Sequence, residues 1–293
     1  MIKVNNIRNE SGWLFHYAHF MCDGLMPEVI NKIYTYDVCY RKKTLDQTLG
    51  NFKILWERVM DTKTIELSEE EFNQMNVPLI DISRFNSDRK NVYGLKEINE
   101  FREYIFNRFN IKPDTSYPEI ILIERGVNKN LIDKEQYSKD LNTDILSTGK
   151  ERREIKDIHL LKRYLTINKI PYKCIMLENM DIVDQIKYFN NAKIIICSHG
   201  AAMSNLLFCN KNTTVVEVDG NWPFFNVICD SLSIKKIKCI NKLDVIIPKI
   251  KKVYVDLIIN KKIEKIKKKL IKKRKNLIKK NNLKNNMNIL LFQ

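Results

Sequence analysis

The stretch KIIICSHGAAMSNLLFC, residues 193–209, sets a run of isoleucines against a histidine, a glycine and several small residues, then turns apolar again. A short continuous apolar run bounded by a turn signal suits a strand buried on both faces, as in a parallel sheet. A strand ending at Ser198 delivers His199 and Gly200 to the carboxyl edge of that sheet, where α/β proteins bind ligands. The helix that follows opens with the N–H groups of Gly200, Ala201 and Ala202 unpaired, and its small side chains let an anion come close. His199 adds a hydrogen bond or a positive charge. The geometry therefore predicts a phosphate site.

Outward from this stretch, the periodicity continues over residues 119–218. EIILIER (119–125) is a short apolar run ending in charge, and DIHLLKRYL (157–165) spaces Ile158, Leu161, Tyr164 and Leu165 at helical intervals. YKCIML (172–177) reads as a strand. NMDIVDQIKYFNNA (179–192) reads as a helix with Asn179 as N-cap and Ile182, Val183, Ile186 and Phe189 on one face. AAMSNLLF is helix-like, NKNT is a turn and TVVEV (214–218) a further strand. Short strands alternating with helices of two to three turns predict an α/β, Rossmann-like layer with a parallel sheet.

Residues 1–115 are less regular. GWLFHYAHFMCDGLMPEVINKIY (12–34) is aromatic with helical spacing, and NFKILWERVM (51–60) and NVPLIDI (76–82) suit either strand or helix. EINEFREYIFNRFNI (97–111) is an amphipathic helix carrying Ile98, Phe101, Ile105 and Phe109 on one side. Pro113 and Pro118 bracket the polar linker DTSY, which places a domain boundary between residues 115 and 116. The expected organisation is an acceptor-side domain (1–115), a donor-binding Rossmann-like domain (116–247) and a basic helical tail (248–293).

The net charge of +16 belongs to that tail. Of 51 basic and 35 acidic residues, 16 and 2 fall between Lys249 and Lys284, which leaves 35 and 33, a near-neutral +2, to residues 1–248. Apolar residues recur there at threes and fours among lysines, the pattern of a long basic amphipathic helix. Lysine without interleaved arginine or aromatics is poor material for base reading, so no specific nucleic acid is expected and peripheral membrane contact is the runner-up. The prior expectation is a helix packed back on the N-terminal half.

No run of 18 apolar residues exists, and MIKVNNIRNESGW lacks the apolar core of a signal peptide, so a cytoplasmic protein is expected. The seven cysteines lack CxxC spacing and several sit in apolar runs, which suits reduced core thiols.

No GxGxxG, GxxxxGK[ST] or GxSxG is present, which excludes the usual dinucleotide, P-loop and hydrolase fingerprints. Arg125 follows the first strand of the layer, Arg152 and Arg153 begin the next helical segment, and Glu217 nears the end of a later strand. Guanidinium and imidazole groups beside a helix N-terminus suit a diphosphate, and a carboxylate suits a ribose diol.

In this order the residues resemble the glycosyltransferase 61 family. IIICSHGAAMSNLLFCNKNTTVVEVDGNWPFFNVICDSLSI is similar to its C-terminal signature, ILIERG and RREI to its two arginine blocks, and YAHFMCDGLMPEV to its N-terminal aromatic-His-Asp segment. Two departures stand out: Asp157-Ile158 where the family reads Asn-Glu, and Met203 where glycine is frequent. The resemblance implies a GT-B-like pair of Rossmann-like domains facing a cleft. It also implies inverting transfer from a nucleotide sugar, commonly UDP-linked, to a glycan or glycoprotein hydroxyl.

Arg125, Arg153, His199, Gly200 and Ala201 would then hold the diphosphate, and Ser204, Asn205 and Glu217 the nucleotide. No Asp-x-Asp occurs, so no metal or other cofactor is expected and cationic side chains would stabilise the leaving group. An inverting reaction needs a general base. Asp23 is the candidate, with His19, four residues earlier, as its competitor or hydrogen-bond partner, and Trp13, Phe15, Tyr17 and Phe20 nearby to stack on sugars. The alternatives are a binding protein that uses the basic tail on nucleic acid or membrane, and a transferase fold retained as a scaffold.

Overall fold

The computed structural model describes residues 1–6, 17–41, 52–62, 64–82, 86–87, 90–91, 94–126, 154–220, 223 and 225–290. Two wholly parallel sheets form, and in one of them the strands IILI, IIICS and TVVEV are buried along their whole length, as strands covered on both faces are. The first is four-stranded, in the order β3-β2-β1-β4, from β1 (Ile2–Asn6), β2 (Val38–Arg41), β3 (Thr64–Leu67) and β4 (Leu79–Ile82). A two-residue hairpin, β5 (Asn86–Ser87) and β6 (Lys90–Asn91), follows it.

The second sheet contains β7 (Ile120–Ile123), β8 (Lys173–Ile175), β9 (Ile194–Ser198), β10 (Thr214–Val218) and β11 (Lys235–Cys239) in the order β11-β10-β9-β7-β8. Counted along the chain this is 2-1-3-4-5, a doubly wound arrangement whose strand order reverses between β7 and β9. The two sheets fall on either side of residue 115, where the proline-bracketed linker lies. Their cores merge: Val4, Phe101, Ile121, Phe189, Ile195 and Phe208 belong to one cluster of buried apolar side chains.

The chain divides into two compact units, Met1–Ile247 and Pro248–Gln293. The second unit consists mostly of one helix, since α9 runs from Leu243 to Leu290 with Pro248 inside it. No helix among the described residues is long and apolar enough to cross a membrane. All seven cysteines are free, and burial pushes the thiols of Cys197 and Cys209 well above the usual range. That makes them inert packing groups.

Three local readings differ from the sequence-based ones. The N-terminal helical segment is not uniform: α1 (Tyr17–His19) passes into a buried π turn, Phe20–Leu25, before α2 (Met26–Ile30). A π turn bonds each residue to the fifth along, a register that apolar spacing does not reveal. After α6 (Ile158–Ile167), the helix α7 (Ile182–Asn191) is capped by Asp181, whose Oδ1 accepts from Val183 N–H at 2.9 Å, and Asn179 instead lies in a 3-10 turn. The segment Ala201–Phe208 is a 3-10 helix throughout.

Among the ambiguous segments, Lys53–Met60 is helix α3 and Leu79–Ile82 is strand β4. Between them, α4 spans Glu69–Gln74. Helix α5 (Leu95–Arg108) buries Ile98, Phe101 and Ile105 as its spacing predicts. From its buried side Arg102 donates to the carbonyls of Leu207 and Cys209, each at 2.5 Å, and so caps the 3-10 helix that follows His199. Replacing Arg102 by methionine keeps the stem and strands two carbonyls. We expect a loss of about 2 kcal/mol in urea unfolding, and an unchanged midpoint would show that the cap is not needed.

Candidate functional site

Register puts the site's polar groups on one face. Glu217 on β10 aligns with Cys197 on β9 and Lys238 on β11, so Lys236, two residues back, projects from the same face. His199 continues β9 in that alternation, its N–H bonded to Val218 C=O at 2.9 Å. Helix α8 (Asn226–Ser231) follows β10, and its Asn226 accepts from Lys236 Nζ.

Glu217 has no exposed surface. Its Oε1 is 2.6 Å from His199 Nδ1, and its Oε2 is 3.3 Å from Lys236 Nζ in an ion pair. Oε2 has no hydrogen bond, the one such buried side-chain atom among the described residues. Burial pushes the carboxyl's pKa up, but the His199 bond and the Lys236 charge outweigh it and hold it below its ordinary value. The His199 ring tilts against Phe225, centroid to centroid 5.7 Å. With Nδ1 committed to Glu217, Nε2 is the ring atom left for a ligand.

Two glycines make this packing possible by close approach. A Cβ on Gly220 would lie 2.2 Å from the Glu217 carboxyl carbon, and one on Gly200 would lie 2.3 Å from Arg125 Nη2. The Arg125 guanidinium therefore rests on the backbone of Gly200, just past the end of β7. Arg125 and the His199-Gly200 pair flank the gap between β7 and β9, which is the place where the strand order reverses. Crevices at such points are where open α/β sheets take ligands. The 3-10 helix beginning at Ala201 leaves its first N–H groups without intrahelical acceptors.

Other expected site residues fall elsewhere. Arg152, Arg153, Trp13 and Phe15 lie outside the described residues, as does the side chain of His19. The Glu154 carbonyl accepts from Asn241 Nδ2 at 2.7 Å, while Asn241 N–H donates to Asp219 at 3.0 Å. Ser204 and Asn205 are fully buried. Ser204 Oγ donates to Ala201 C=O at 2.6 Å. Asn205 donates to Gln185 at 2.9 Å and accepts from the Tyr17 hydroxyl at 2.5 Å. Burial holds the Tyr17 pKa far above its ordinary value, so the hydroxyl keeps its proton. In the structure these side chains brace the 3-10 helix against α7 and α1. Asp23 is buried within the π turn, a kind of helix distortion frequent at functional sites. Lys236 escaped notice in the sequence because KKIKC reads as a solvated edge strand.

The sequence pattern of the family described as Glycosyltransferase 61 matches residues 17–216, more than half of the chain. The chain belongs to the glycosyltransferase 61 family. It is accordingly a glycosyltransferase. The match covers α1, the π turn, Arg125 and the His199 turn, and stops one residue short of Glu217, so Lys236 and the basic helix lie beyond it. A search of curated proteins found no significant match.

The Glu217 environment has a measurable signature. Its folded carboxyl titrates below the unfolded one, so the stabilisation is present above pH 4.5 and is lost as pH falls below that value. The stability difference between wild type and Glu217→Gln should therefore shrink on acidification. A difference that stays constant from about pH 6 to about pH 3 would contradict the ionised, paired carboxylate.

Proposed function

We propose that the protein is a GT-B-like, inverting, metal-independent glycosyltransferase that moves a sugar from a UDP-linked donor to a glycan or glycoprotein hydroxyl. The observation that carries this reading is the placement of the Arg125 guanidinium against Gly200, beside His199, at the strand-order reversal and next to a helix start. Two cationic or donor groups there suit the diphosphate of the leaving nucleotide. Gly200 and Ala201 contribute backbone N–H groups, and Arg153 is a further diphosphate ligand. Ser204 and Asn205 act behind the nucleotide by bracing, and Glu217 acts through His199. The absence of Asp-x-Asp favours neutralisation by side chains over a bound divalent ion.

Asp23 is the proposed general base, which takes the proton of the acceptor hydroxyl as the sugar passes through an oxocarbenium-like state. His19 precedes it in the same helical segment as competitor or partner. The presence of two parallel sheets supports the reading of two Rossmann-like halves. Seven free thiols favour a reducing compartment, the cytoplasm.

Nucleotide release from a panel of UDP- and GDP-sugars, with and without EDTA, tests the reaction. Arg125→Ala and His199→Ala should each lower kcat/KM about 100-fold or more and weaken UDP binding. Asp23→Asn should slow transfer about 100-fold or more with UDP affinity retained. Full turnover in the arginine and histidine variants would reject the site, and loss of activity with EDTA would reject metal independence.

The basic helix suits an anionic lipid surface. Val255, Ile259, Ile263, Ile266, Leu270 and Leu277 are exposed, at spacings that align them in one stripe among lysines. Such a stripe is redundant for nucleic acid, and pairing two copies would bring like charges together. The full chain should sediment with phosphatidylcholine vesicles only when they contain phosphatidylserine. Salt, or the double change Ile263→Glu and Leu270→Glu, should release it. No sedimentation with either vesicle would reject this partner.

A further inference from the structure

The site contains a charged group that the diphosphate reading does not use. Lys236 is nearly buried, with 10% of its side chain exposed, and among the described residues it faces the one buried carboxylate oxygen that lacks a hydrogen bond. Replacing buried ion pairs by apolar groups is often neutral or stabilising, so an ion pair under a candidate site invites a functional explanation. Here two basic groups address one carboxylate, and the second of them, His199, is at the sheet edge.

Charge balance separates their tasks. Glu217 carries one negative charge in the core and needs one positive charge nearby. If His199 were its sole partner, the imidazole would serve as that counter-ion. Lys236 already fills the role, so the ring can meet Glu217 as a neutral Nδ1–H donor. Among the described residues, the other titratable groups near this pair include Lys238, aligned with Glu217 on β11 and exposed to solvent, the thiols of Cys197 on β9 and Cys229 on α8, and Cys239 Sγ, which donates to Glu217 C=O at 3.5 Å. Burial holds all but the last of these thiols above their ordinary pKa, so they add no anion at neutral pH. Beyond Gly200 stands the permanently charged Arg125.

We propose that Lys236 is a positioning residue of the donor site: as the standing counter-ion of Glu217, it leaves His199 to be charged by the diphosphate, so that nucleotide binding takes up a proton at Nε2. The proton comes from solvent and returns to it when the nucleotide leaves. This rests on His199 being a ligand of the donor phosphates.

The test is calorimetry of UDP binding at about pH 7.5 in two buffers of different ionisation enthalpy, where the UDP phosphates and a free imidazole are mostly deprotonated. Wild type should take up close to one proton per UDP. Lys236→Met should lose most of that uptake, because His199 then balances Glu217 before UDP arrives, and Lys236→Arg should keep it. The double variant Lys236→Met/Glu217→Gln removes both charges and should restore uptake, a reversal that a merely structural role would not produce.

Uptake equal in Lys236→Met and wild type, or absent from wild type, overturns the proposal. If His199→Ala leaves UDP affinity unchanged, the diphosphate reading fails instead. Imidazole nitrogen NMR of the free protein, with His199 assigned by its alanine variant, decides the charge-balance argument without any ligand. The expected result is Nδ1–H with bare Nε2 in wild type and a doubly protonated ring in Lys236→Met. The same ring state in both overturns the proposal.

Discussion

Glu217 places a carboxylate where no water reaches it, and the surrounding structure answers that constraint. A buried charge persists only where opposite charges and hydrogen-bond donors compensate its lost hydration. Lys236 faces one oxygen and His199 the other. Gly220 must lack a side chain because the glutamate folds across it. His199 is thereby fixed at Nδ1, which leaves Nε2 as its ligand-facing atom at the end of β9. Gly200 next to it is bare because the Arg125 guanidinium rests on its backbone. One buried acid thus orders the histidine at the end of β9.

Topology explains why these groups meet where a ligand can enter. Crossovers on either side of β7 and β9 run in opposite directions, so their carboxyl ends open a crevice between them. Arg125 comes from the first of these strands and His199 from the second. The 3-10 helix after Gly200 is held from three sides: Arg102 at its carboxyl end, Gln185 through Asn205, and Tyr17 through the same asparagine. The Tyr17–Asn205 bond ties the N-terminal segment that carries Asp23 to the 3-10 helix that follows His199.

Much of this was legible in the chain itself. Strands such as IIICS and TVVEV announce themselves by apolar runs of the right length, and Arg125 and His199 could be picked out because they immediately follow such runs. Three features escaped for physical reasons. Lys236 stands between Lys235 and Lys238 in a strand whose composition suggests a wet edge; Lys238 shares its face, and only burial and the contact with Glu217 show that Lys236 is the lysine that turns inward. The side chains of Ser204 and Asn205 look like ligand contacts in sequence, whereas burial and partners decide their direction. The π turn and the 3-10 helix share the apolar spacing of an ordinary helix and differ in hydrogen-bond register, to which spacing is insensitive.

The most direct measurement is a crystal structure of the protein with UDP bound. The diphosphate is expected in the crevice between the carboxyl ends of β7 and β9, with its oxygens within hydrogen-bond reach of the Arg125 guanidinium and His199 Nε2, and with Nδ1 still on Glu217. A diphosphate bound away from both residues, or a His199 ring turned so that Nδ1 leaves Glu217 to meet the phosphate, would contradict it.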